Sequence, residues 1–106
     1  MATGRLGTAD LAAATDTSLY TVPDDTFTVA SVSLLNRGNA TREVRLAVCD
    51  TATAEADEYL EYGALLGAGD VLERTGIVID AGKQIVVWAS DVNVTAVAFG
   101  IETASA

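Results

Sequence analysis

Turn signals stand at Pro23-Asp24-Asp25, Asn36-Arg37-Gly38-Asn39-Ala40, Gly67-Ala68-Gly69-Asp70 and Asp80-Ala81-Gly82-Lys83, with segments of roughly 8 to 12 residues between the first two and between the last two. Segments that short accommodate strands and leave little room for helices, so the spacing predicts an all-β sandwich or barrel. No internal repeat or linker divides the 106 residues, which suit one domain able to bury roughly 65% of its extended-chain surface.

Residues 26–49 read as the organising unit. Val44, Leu46 and Val48 alternate with Glu43 and Arg45, the period of a strand with one buried face. In the preceding segment Phe27 and Val29 share one parity while Val32 and Leu34 share the other, so the pattern slips near Ala30-Ser31. A bulge there, or cover on both faces, would reconcile it. The two segments are expected to pair as a central hairpin, with Asn36, Gly38 and Asn39 supplying the positive φ of its loop.

Around that unit, residues 1–17 are expected to form an N-terminal arm with Leu6 and Leu11 as anchors, and residues 18–106 a single sandwich domain. Residues 18–22 read as a short strand ended by Pro23, whose φ is preset for a turn. Residues 50–57, rich in Thr, Ala and acids, have the propensity to begin a helix. Residues 58–66 set Leu60 and Ala64 against Tyr59 and Tyr62 and are assigned to a strand. Val71, Ile77 and Ile79 mark the next one. Strands over 84–90 and 92–103 are apolar on both parities: Ile85 and Val87 against Val86 and Trp88, then Val92 and Val94 against Val97, Phe99 and Ile101. Each sheet of a two-layer sandwich has one wet face, so such strands need a second cover, which a subunit interface or a covering loop would supply.

Composition narrows the chemistry. The chain has no histidine and one cysteine, Cys49. Ser-His-Asp and Cys-His triads, His-based zinc sites and intrachain disulfides are therefore excluded, and Cys49 reads as a small buried hydrophobe. Asp24-Asp25 and the group Glu55, Asp57, Glu58 and Glu61 are the carboxylates that could serve acid–base work or calcium, and they read as solvated loop residues. Tyr20, Tyr59, Tyr62 and Trp88 would make a sugar-stacking platform if they shared a face; core and interface positions are the commoner use of such residues. Gly67-Ala68-Gly69-Asp70 lacks the third glycine and the helix of a phosphate loop. No catalytic, cofactor-binding or metal-ligating residue is assigned: the chain is expected not to be an enzyme and to need no cofactor.

The formal net charge is −9. Residues 1–53 carry four Arg against six acids, and residues 54–106 carry Arg74 and Lys83 against nine. Phosphate binding needs clustered Lys and Arg, so neither nucleic acid nor an anionic membrane is an expected partner. No apolar run approaches the roughly 18 to 20 residues that cross a bilayer, and the first seven residues hold no apolar signal core, so a soluble, non-secreted protein is expected.

Leu19-Tyr20-Thr21-Val22-Pro23, Leu34-Leu35-Asn36-Arg37-Gly38 and Val44-Arg45-Leu46-Ala47-Val48, followed by Tyr59-Leu60, Gly76-Ile77-Val78-Ile79-Asp80-Ala81-Gly82 and Gly100-Ile101-Glu102, resemble in order a group of small structural proteins of tailed-phage virions. The likeness spans nearly the whole chain and rests on strands and turns. It implies an antiparallel β-sandwich, jelly-roll-like, with about eight strands, assembled as a homo-oligomer, expected to be a trimer, on other virion proteins. It also implies assembly in the bacterial cytoplasm and a place in the virion. A capsid decoration subunit is the first expectation. A neck, tail, baseplate or fibre component, with a glycan as partner, is the alternative.

Overall fold

The computed structural model describes residues 2–105 and contains eight strands: β1 (Thr3–Asp10), β2 (Thr17–Thr21), β3 (Thr26–Asn36), β4 (Arg42–Cys49), β5 (Tyr59–Leu66), β6 (Val71–Ile79), β7 (Gln84–Ala89) and β8 (Val94–Ala104). They form two four-stranded antiparallel sheets packed as a sandwich, ordered β1-β8-β3-β6 and β2-β7-β4-β5. The pairings β1–β8, β2–β7, β3–β6 and β4–β5 describe one long hairpin whose tip is the β4–β5 connection. Rolled up, that hairpin adds the β3–β8 and β4–β7 pairings that complete each sheet. The result is a jelly roll.

The central hairpin expected over residues 26–49 does not form. β3 and β4 are inner strands of opposite sheets, and the turn between them carries the chain across the sandwich. Asn36 shows why. Its side chain is fully buried, and Nδ2 donates to the carbonyls of Ala40 at 2.8 Å, Leu66 at 2.9 Å and Gly67 at 3.2 Å. Its Oδ1 accepts the Gly38 N–H at 2.9 Å. One amide thus ties the β3–β4 crossing to the β5–β6 crossing, a link that takes the place of ladder bonds between β3 and β4. Positive φ falls elsewhere than expected: among the described non-glycine residues at Ala14, Asp25 and Asn93, and not at Asn36, Gly38 or Asn39.

The slip read near Ala30-Ser31 also resolves differently. β3 keeps one parity, with Thr28, Ala30, Val32, Leu34 and Asn36 inward and Phe27 and Val29 outward. The extra residue belongs to β6, whose register shifts opposite Ala30 and Val32 around Thr75-Gly76, where Gly76 has φ 68°. β1, β2 and β5 shift register too, whereas the inner pairings β3–β8 and β4–β7 run without a break. Every edge strand is bulged and no inner strand is. Bulges twist an edge away from a flat approach by another chain.

The helix expected over residues 50–57 is absent, and bends and turns occupy that stretch. The cause is local capture of backbone donors: Glu58 accepts the N–H groups of Asp50 and Glu55, each at 2.9 Å, and Asp16 accepts that of Ala54 at 3.2 Å. The loop so held places Ala54, with Tyr59, over Ala47, Cys49 and Val86 on the outside of the second sheet. β7 is apolar on both faces because its own chain covers the outer one.

Between the sheets lies the main core, in which Leu34, Val44, Leu46, Ile85, Val87 and Val94 are completely or almost completely buried. Leu11, 2% exposed, joins it from the segment read as an arm, and the strand β1 in that segment pairs with β8. Where β1 passes β2, a Cβ on Gly7 would sit 2.2 Å from the Leu19 carbonyl oxygen. Only glycine allows the two backbones to seal that side of the sandwich.

Candidate functional site

The residues with chemical potential are dispersed. Asp24 and Asp25 form the β2–β3 turn, Glu58 is consumed in clamping the 50–58 loop, and Glu61 pairs with Arg74 at 2.6 Å across the β5 and β6 edges. Among the described residues no group of three or more His, Cys, Asp or Glu is placed to hold a metal ion. Cys49 is fully buried, and burial, followed by the neighbouring Glu58 carboxylate, pushes its thiol up to about 12. A thiol held neutral to that degree is a poor nucleophile.

Three of the four candidate aromatic residues do share a face. Tyr59 and Tyr62 on β5 and Trp88 on β7 stand on the outside of the second sheet, with Arg45 of β4 between them. The Arg45 guanidinium carbon lies 4.4 Å from the Tyr62 ring centre and 3.8 Å from that of Trp88. Tyr59 meets Tyr62 edge to face at 4.8 Å. Arg45 occupies one face of Tyr62 and one face of Trp88, a cation–π ladder internal to the protein, while Tyr62 stays 63% exposed. Alternation exposed Arg45 as an outward residue; which rings it stacks on depends on the β5 and β7 registers.

Tyr20 sits apart. Its hydroxyl donates to Glu102 Oε2 at 2.5 Å and shares a 2.9 Å hydrogen bond with Thr28 Oγ1, joining the second sheet to the first. Burial, then the bond to Glu102, pushes Tyr20 up to about 12, while the Tyr20 hydroxyl and then the Ala2 N–H hold Glu102 below its ordinary carboxylate value.

On the side opposite the Gly7 seam, β5 and β6 leave a groove of about 360 Å³ lined by Val48, Leu60, Ile77 and Val78 with Arg74. Val78 also belongs to a larger surface, the outer face of the first sheet. There Val78, Val29 and Ile101 stand in one row across β6, β3 and β8, flanked by Phe27 and Phe99. They are exposed by 71, 41, 54, 37 and 40%, respectively. β3 has no charged residue, and the one charge of β8, Glu102, is bonded to Tyr20 between the sheets. The outward residues Val97, Phe99 and Ile101 therefore lack the cover that the 50–58 loop gives β7. In a chain of net charge −9, the two inner strands of this face present none. No family model matches the sequence, and searches of curated proteins and of solved structures gave no match.

Proposed function

We propose that this protein is a non-catalytic structural subunit of a tailed-phage virion, of the capsid-decoration kind, which works by packing against other protein. The observation that carries this reading is the uncovered, uncharged outer face of β3 and β8 on an otherwise acidic molecule. Exposed apolar patches of this breadth mark protein–protein contacts. The likeness of the strand and turn segments to small virion proteins supplies the setting, and the jelly roll is an architecture used in shells. The mechanism is mass action. A subunit that binds the assembled shell and not its dissociated parts stabilises it by about 2.7 kcal/mol per site at a hundredfold excess over Kd.

A glycan-binding module of tail or fibre has less support, because Arg45 already stacks on one face of Tyr62 and of Trp88. The test is the copy number of this protein relative to the major shell protein, measured by quantitative mass spectrometry on purified particles separated into heads and tails. Copies comparable to the shell protein, in the head fraction, are expected. A few copies confined to tails would move the role to a neck, baseplate or fibre, and absence from both would overturn the virion reading.

A further inference from the structure

We infer that the outer face of the first sheet is covered by a second copy of the same chain, related by a two-fold axis parallel to the strands and midway between β3 and β8. This deepens the packing role proposed above and rests on it only in naming what covers that surface. The axis lays β8 of one copy over β3 of the other, and β1 over β6. Residues paired across the sheet then meet their own partners from the other copy.

The pairs so brought together are complementary in size. Phe99 pairs with Ser31 and Val97 with Ser33 within the sheet, so each large side chain of one copy faces a serine hollow of the other. Ile101 faces Val29 by the same rule. They are also complementary in charge. Arg5 of β1 lies in the Phe99 row and Glu73 of β6 in the Ser33 row, on opposite edges of the face. The axis sets Arg5 of one copy above the β6 edge of the other, one two-residue step from Glu73, roughly 7 Å and within the reach of an arginine; Asp10 falls one step to the other side of Glu73, but its charge is already paired with Arg37. Symmetry makes the Arg5–Glu73 contact twice. A four-stranded face with strands of 8, 11, 11 and 9 residues offers about 600 Å² per copy, or about 1,200 Å² in all, the lower end of what a stable interface buries. A self-complementary face gives an isologous pair, while the trimer expected from the family likeness would need two different matching patches.

The test is sedimentation equilibrium on the full chain at micromolar concentration, with circular dichroism to verify the fold of each variant. The unaltered protein is expected to be a dimer. Arg5→Glu and Glu73→Arg are each expected to weaken it about fivefold to tenfold, and combining them to restore the original affinity. Ser31→Phe, which fills the hollow at a site solvent-facing in the single chain, is expected to leave monomer. An unaltered protein that stays monomeric at every concentration overturns the inference, as does a double swap no tighter than the singles. Failure here is separable from failure of the virion reading: a monomer abundant on heads sinks the pair alone, and a dimer missing from particles sinks the virion role alone.

Discussion

At the scale of single residues, the buried amide of Asn36 and the two high-pKa groups make the sharpest predictions. Asn36→Ala removes the donor for three carbonyls of which the Leu66 one is buried, and leaves the Gly38 N–H without its acceptor. A loss of about 2 to 4 kcal/mol is expected in urea unfolding, well beyond that of an exposed Asn39→Ala. Tyr20 and Cys49 titrate near 12 in the folded chain, against ordinary values of 10.0 and 9.0. Both are raised, so the stability they contribute is complete below about pH 9 and disappears as pH rises toward 12. Thermal melts across that window should show the decline starting later in Cys49→Ala, and its remainder diminished in Tyr20→Phe. Glu102 has the opposite sign: its lowered value contributes stability above the ordinary carboxylate range, lost as acid titrates it, so Glu102→Gln should flatten the acid limb. The roles of Asn36, Tyr20 and Glu102 were not legible in the sequence. Asn36 reads as a loop residue because the composition of a turn does not distinguish crossing between sheets from reversing within one. The burial of Cys49 was legible from its place at the end of an apolar strand, but its cover was not: its parity is opposite to that of Val44, Leu46 and Val48, and it packs with Ala47 and Val86 on the outside of the second sheet.

At the scale of elements, strand number and most strand positions follow from turn spacing and parity, because side-chain burial imposes period two wherever one face is dry. Pairing does not follow. β3 and β4 have the patterns of two hairpin partners, and what separates them is long-range: β3 finds β8 and β6, strands far along the chain. The β6 bulge was misread onto β3 for the same reason, since a register shift belongs to a pair and parity is read from one strand. Gly76 carries that bulge at φ 68°, and nothing lies within 4 Å of a Cβ built on it. Gly76→Ala therefore tests backbone conformation alone and should cost about 1 to 2 kcal/mol in chemical denaturation. Gly7→Ala, which meets the Leu19 carbonyl at 2.2 Å, should cost distinctly more. Removing residues 2–14 strips β1 from β8 and Leu11 from the core. The truncated chain is expected to lose its cooperative melt and to aggregate through the uncovered β8 edge.

At the scale of the whole molecule, acidity and the uncharged face act against each other. A net charge of −9 on a chain with a radius of gyration of 13.2 Å repels itself and its copies. Sodium chloride raised from low ionic strength to about 0.5 M should therefore increase the melting temperature by screening like charges. The candidate surface was half visible in advance. The double-sided apolar character of the last two strands announced a need for cover, and only the folded chain shows that the 50–58 loop meets that need for β7 and not for β8.

The pairing of the first strand with the last bears on how the protein responds to force. Thr3 lies opposite Ile101, and the Glu102 N–H donates to the Ala2 carbonyl at 3.0 Å, so the two ends of the described chain leave the molecule side by side. Tension applied between them would load the β1–β8 hydrogen bonds one after another, as in opening a zip, and not all together. Attached to a support at one end and loaded at the other, this sandwich would peel from β1 inward at low force.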